Sequence, residues 1–302
     1  MLAIGLRLMT AVVFATMAML VKLASERGAH LVELIFWRQT VTLALIGAGL
    51  ALAGKLATLR TNRLRSHAAR AGLGGVGMFF TYGAVILLPL AEATTLSYTA
   101  PFFAVVIAVT MFGEKVGVYR SMAVLIGFCG VMIIMQPGNS GEEVTVLGVV
   151  VALTAAAMVA MISFQIQDLN KTENPLSIIF WFTAISSPFL LAAMPFFIGS
   201  HDRETWAIII LMALCGATAQ ILLTWSLRFG SAAVILLIDY TSLLWAIWYG
   251  STIFGRTPPS TLWLGAPLII GAGVLIAWRE RRLASIKMPA SAVEEPKPDL
   301  TR

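Results

Sequence analysis

Charge is what this sequence has least of. Lysine, arginine, aspartate and glutamate supply 12% of its 302 residues, about half the share of an average soluble domain. That excludes an ordinary water-facing surface over most of the chain. Cysteine is nearly absent too. Cys129 and Cys215 both lie in apolar stretches and read as small buried hydrophobes. Two cysteines exclude a disulfide framework or a Cys-rich metal site. The histidines, His30, His67 and His201, fall in polar connections, so neither a metal centre nor a histidine-based active site is expected, and no cofactor. No Walker loop, His-Glu-x-x-His or G-x-S-x-G string occurs, which removes an ATP-driven motor and the common hydrolase chemistries.

Apolar residues make up 59% of the chain and come in long runs. A membrane span needs roughly 20 of them. That rule places spans near 3–23, 31–53, 71–88, 91–111, 118–135, 147–167, 176–197, 206–227, 231–253 and 261–278. The first run lacks a strongly basic flank and a clean small-x-small site, so it reads as a retained span and not a signal peptide. The fold expected is an all-α membrane protein of ten spans.

The net charge of +6 does not point to nucleic acid, because the bases gather in a few loops. Lys55, Arg60, Arg63, Arg65 and Arg70 follow the second span. Lys115, Arg120, Lys171, Arg228 and the tail bases fall on the same side if spans alternate. The positive-inside rule then puts both termini in the cytoplasm of a bacterial inner-membrane protein. Arg7 and Lys22, near the ends of the first span, fit side chains that snorkel to the interface.

The second half echoes the first. Ile35-Phe36-Trp37 recurs as Ile179-Phe180-Trp181, Thr81-Tyr82 as Thr224-Trp225, Tyr98-Thr99 as Tyr240-Thr241 and Phe112-Gly113 as Phe254-Gly255, at offsets of 142 to 144. Five spans per copy force the second copy to insert upside down, the architecture of alternating-access transporters. The units expected are 1–136, a periplasmic seam at 137–146, a second repeat at 147–282 and a disordered tail at 283–302. The seam carries Pro137, Gly138, Asn139, Ser140 and Gly141, all turn formers.

Polar residues inside spans are the candidates for chemistry. Asp239 lies deep in the ninth span, where an ionisable group must face protein or a water-filled cavity. It is a candidate both for a substrate ammonium and for a coupled proton; a structural pairing is the alternative. Its copy is Ser97, followed by Tyr98, Thr99 and Pro101, and a mid-helix proline leaves the Ser97 carbonyl without its helical donor. Arg38, whose copy is Phe182, suits a substrate carboxylate or a protein one, with Glu33 nearby in sequence. Tyr82, Trp181, Trp225 and Tyr240, with the amides Gln165 and Gln220, suit a cavity for a flat amphipathic solute, or plain helix packing. Glu92 suits the helix dipole at the start of the fourth span. Glycines 127, 130, 271 and 273 suit close helix packing.

This pattern resembles the drug/metabolite transporter superfamily of the ten-span EamA type. The span count, the half-chain repeat, the arginine after Phe36-Trp37 and the Phe112-Gly113-Glu114 string carry the likeness; Arg256 replaces that acid in the second half. Within the superfamily the chain is most similar to bacterial aromatic amino-acid exporters. The resemblance implies a carrier with helices 1, 3, 4, 6, 8 and 9 around a cavity and helices 5 and 10 in packing or dimer contacts. The function expected is export of amino acids, aromatic and other apolar ones included, by a monomer or homodimer in lipid. An exporter of cationic or lipophilic drugs is the alternative. An intramembrane enzyme is a third class, disfavoured by the lack of histidine within the spans.

Overall fold

The computed structural model describes the backbone of residues 2–112, 118–134, 144–229 and 241–286, with side chains described outside 2–7, 112, 118–121, 224–229, 276–277 and 279–286. Asp239 and Tyr240 therefore lie outside the described residues, as do the side chain of Trp225, most of the seam and residues 287–302.

The described backbone is helical throughout its regular elements. The helices are α1 (Leu2–Glu26), α2 (Leu31–Leu52), α3 (Leu64–Leu87), α4 (Leu90–Ser97), α5 (Ala100–Phe112), α6 (Val118–Ile134), α7 (Val146–Leu169), α8 (Pro175–Phe197), α9 (Arg203–Phe229), α10 (Ser242–Thr252) and α11 (Ser260–Ile286), with a 3₁₀ turn at Leu56–Leu59. Among the described residues, seven segments are long and apolar enough to cross a membrane, with α4 and α5 together forming one of them. Shorter apolar helices cover Met122–Ile134 and Ser260–Leu275. Large apolar side chains such as Phe128, Phe189, Phe196, Trp263 and Leu264 point outward, as lipid-facing residues do.

Local chemistry fixes where the helices start. Thr145 Oγ1 accepts from the Gly148 N–H at the start of α7. Asn174 Oδ1 accepts from the Leu176 N–H beside Pro175 at the start of α8. Asp202 Oδ1 accepts from Thr205 N–H before α9; its hydrogen bonds with Thr205 hold that exposed carboxyl below the usual carboxylate range. Each satisfies a helix-end donor that has no partner within the helix.

Two boundaries near the candidate residues differ from the sequence expectation, and α11 also runs on to Ile286, past the expected span end at 278. First, α3 starts at Leu64 and not near 71. Its first two turns, Leu-Arg-Ser-His-Ala-Ala-Arg, are too polar for a hydropathy window but contain good helix formers. This moves His67 and Arg70 out of the connection and into a buried helix. Second, the fourth span is broken. Ser97 Oγ donates to the Thr94 carbonyl and Thr99 Oγ1 to the Leu96 carbonyl, and α5 restarts at Ala100. Pro101 thus sits in the first turn of a new helix, where a missing N–H costs little, and is not a mid-helix kink.

The packing obeys a two-fold relation between the halves. Taking α1 with α7, α2 with α8, α3 with α9, α5 with α10 and α6 with α11 as copies, α1 packs on α9 as α7 packs on α3, and α5 packs on α7 as α10 packs on α1. The pairs α2–α8 and α6–α11 are each a helix packed on its own copy. The major cores accordingly mix residues of both halves, for example Val21, Phe36 and Met78 with Phe182 and Met212, or Leu96 and Val131 with Leu262 and Ile269. The chain is an all-α membrane protein of two inverted, interlocked repeats.

The polar closures follow the same relation. At one end Arg27, after α1, pairs with Glu204 at the start of α9 (2.8 Å). At the other end Asp168, closing α7, pairs with Arg63 before α3, with the charges exchanged. Glu33 in the first turn of α2 meets His201 before α9 (2.9 Å). Glu173 before α8 meets His67 in α3 (3.7 Å). His67 and His201 are therefore carboxylate partners at the two ends, and Glu33 is the partner of His201, not of Arg38.

Between α6 and α11 the backbones touch. A Cβ on Gly130 would lie 2.8 Å from the Gly265 carbonyl oxygen, and one on Gly265 would lie 2.7 Å from that of Gly130. Gly271, expected from the repeat to match Gly127 in packing, faces open space. The Gly130→Val variant should force α6 and α11 apart, cost about 1–3 kcal/mol and lower the melting temperature in detergent. Gly271→Ala should leave it unchanged.

Candidate functional site

The sites anticipated in the sequence fall into two groups. One surrounds the break in the fourth span. The buried Tyr98 hydroxyl lies 2.7 Å from Ser242 Oγ, at the start of α10. Ser242 lies 144 positions after Tyr98, so the discontinuous span meets its own copy. Thr99 is buried in the turn and Ser97 is exposed beside it. Glu92, buried in the first turn of α4, stands where the positive end of a helix dipole favours an acid.

The other group surrounds Arg38, which is only 6% exposed. Its Nη2 donates to Gln220 Oε1 on α9 (3.1 Å), and its Nη1 reaches Gln39 Oε1 (3.4 Å) and Met78 Sδ on α3 (3.1 Å). Gly216 makes the room: a Cβ there would lie 2.9 Å from the arginine stem. Met78 and Gln220 are 142 positions apart, as are Gly74 and Gly216. The Arg38 guanidinium is therefore held between repeat-equivalent positions on α3 and α9, at the interface of the inverted halves. A small network continues from it. Gln39 Nε2 donates to Ser186 Oγ (2.6 Å), which donates to the Phe182 carbonyl (2.7 Å).

Sequence reasoning missed Arg70. It is 5% exposed, and its guanidinium carbon stands 4.4 Å above the ring of Phe182, in cation–π range. The departure of Arg38 against Phe182 thus has both members around basic groups. The available signal was the repeat: Arg70 aligns with Met212 at the same offset of 142.

The remaining candidates disperse. Tyr82 is buried, its hydroxyl near the sulfurs of Met17 (3.7 Å) and Met212 (3.8 Å). Trp181 donates from Nε1 to the Leu59 carbonyl in the 3₁₀ turn (2.9 Å), so it docks the basic loop and does not face the Arg38 group. Gln165 has a buried Oε1 with no partner among the described residues. Lys22 does not snorkel. It is buried and donates to the carbonyls of Val85, Ile86 and Leu88 (2.8–3.4 Å), capping the negative end of α3. A pocket of about 210 Å³ opens beside it, lined also by Glu92 and Arg256, away from the Arg38 group. Among the described residues no cluster of histidine, cysteine, aspartate or glutamate could hold a metal ion.

The Tyr98–Ser242 bond is testable. Tyr98→Phe and Ser242→Ala should each destabilise by about 1 kcal/mol. Combined, they should cost less than their sum in a double-mutant cycle read by thermal unfolding, because both remove one bond.

Comparison with known proteins agrees with this architecture. A crystallised protein shares the fold at a TM-score of 0.60 and 20% identity, over 91% of this chain and 98% of its own. A riboflavin transporter of Rhizobium johnstonii is 31% identical over 230 residues, covering 75% of this chain and 74% of its own. A pseudopaline exporter of Pseudomonas aeruginosa is 24% identical over 268 residues, covering 87% and 92%. These relatives are transporters of small molecules, and neither bears the name of an aromatic amino-acid exporter, the subgroup expected from the sequence. The EamA-like transporter family matches once in each half, over residues 1–136 and 146–278, and the chain is a member of that family, a multi-span membrane transporter.

Proposed function

We propose that the protein is a secondary carrier of the bacterial inner membrane that moves a small metabolite with a flat aromatic or heteroaromatic body and acceptor oxygens. The observation that carries this is Arg38, a buried guanidinium held by α2, α3 and α9 at the interface of inverted repeats. Transporters build substrate sites at such interfaces, and an intramembrane arginine marks one by its cost. A guanidinium presents a planar fork of donors suited to carboxylate or carbonyl oxygens. The aromatic ring of Phe182, under the neighbouring Arg70, suits a flat body.

Amino acids, aromatic ones included, are the first substrate class, exported by alternating access. Their carboxylate matches the Arg38 donors, and Asp239 would take the ammonium or a coupled proton. Riboflavin is a second reading, supported by the name of the Rhizobium relative. The repeats 1–136 and 147–282 would exchange conformations, opening first one end and then the other. The paired closures at the two ends, Glu33–His201 with Arg27–Glu204 and His67–Glu173 with Arg63–Asp168, are suited to that exchange.

Proteoliposomes containing the full chain should move labelled phenylalanine or riboflavin faster than empty vesicles. Arg38→Ala should cut that flux at least tenfold, about 1.4 kcal/mol or more of binding. No flux of either solute, nor of a wider amino-acid panel, removes the reading. Orientation is checked separately. Single cysteines at Arg63 and Glu142 should label from opposite faces of the membrane, with Arg63 cytoplasmic.

A further inference from the structure

The Arg38 group contains more positive charge than a neutral solute requires. Arg70 Nη1 would lie 2.0 Å from a Cβ on Gly74, so its guanidinium extends along α3 over that glycine. Arg38 Nη1 lies 3.1 Å from Met78 Sδ. Residues 74 and 78 share one face of α3, roughly one turn apart, and helical side chains lean toward the N-terminus, which draws the Met78 sulfur toward Arg70. The two guanidiniums therefore converge on one short stretch of α3. Both are more than nine-tenths buried. Arg38 Nε, Arg70 Nε and Arg70 Nη1 have no hydrogen-bond partner among the described residues. Two like charges whose buried donors lack partners among the described residues call for an anion.

We propose that Arg38 and Arg70 together bind an anionic group, a carboxylate or phosphate, carried by the transported solute. Arg38 anchors it at the repeat interface. Arg70, braced on the Phe182 ring and seated over Gly74, supplies the second fork. The proposal deepens the carrier reading by naming the charge of the substrate. It favours amino acids and other organic anions over neutral heterocycles. Because Met212 occupies the copy of the Arg70 position on α9, the binding site is one-sided and breaks the symmetry of the scaffold.

The test is ligand binding to the purified full chain in detergent, read by thermal shift and tryptophan fluorescence, without transport. Two near-isosteric pairs serve as probes: phenylacetate against phenylacetamide, and riboflavin 5′-phosphate against riboflavin. The anionic member of at least one pair should bind the wild type roughly thirtyfold or more tightly than the neutral one. Arg70→Met installs the residue that the other half already carries. It should fold, melt higher than wild type without ligand because an uncompensated buried charge is gone, and lose the preference for the anion. Arg70→Lys should retain part of it. Inorganic phosphate binding as tightly as the organic anions would overturn the assignment to a solute. Equal binding of each pair, or an Arg70→Met protein that melts lower, would also overturn it; the latter would mean that a protein carboxylate such as Asp239 already neutralises the pair. Anion preference without flux in vesicles would leave this site standing and remove the carrier reading. Flux insensitive to both anions would do the reverse.

Discussion

A guanidinium cannot rest in an apolar bundle unless several helices hold it, and Arg38 imposes that constraint on this fold. Its stem needs a glycine on α9, its nitrogens need Gln220 and Gln39, and its charge must tolerate that of Arg70 on the same stretch of α3. A membrane interior offers no bulk water to relieve this. The glycine and the amide on α9 serve Arg38, and the Phe182 ring on α8 serves Arg70, so the second repeat holds both arginines of the first.

The scaffold around that group is symmetric in its packing and asymmetric in its chemistry. The largest helix pairs either have a repeat-related partner pair or join a helix to its own copy. The closures at the two ends match in position: the arginine–carboxylate pairs exchange acid and base between the partner elements, and the glutamate–histidine pairs keep them. The Tyr98–Ser242 contact adds a fixed point where the broken fourth span meets the ninth. Arg38 opposite Phe182, and Arg70 opposite Met212, are where the copies differ and the charge accumulates.

Much of the architecture was legible in the chain because hydropathy and charge act over whole segments. Span number, the half-chain repeat and the grouping of basic loops need no side-chain geometry. The start of α3 was not legible, because a polar first turn of a helix looks like a loop in a hydropathy window. Arg70 was assigned to the basic loop for that reason. Glu33 was placed with Arg38 by sequence proximity, yet a partner 168 residues away, His201, takes it. Pairing across the interlocked repeats is a tertiary property that spacing cannot reveal. Pro101 was recognised as a helix breaker, but whether it kinks a helix or starts a new one depends on the hydroxyl caps of Ser97 and Thr99. Asp239 and Tyr240, the other sharp candidates, lie outside the described residues, so their place at the site rests on the sequence.

The measurement that bears most directly on this account is an experimental structure of the full chain with a transported solute bound. The account predicts the solute between α2, α3 and α9, with an oxygen within about 3.2 Å of the Arg38 guanidinium and its ring beside Phe182 or Tyr82. A solute seated in the end pocket lined by Lys22 and Arg256, with Arg38 still bonded only to protein, would contradict it.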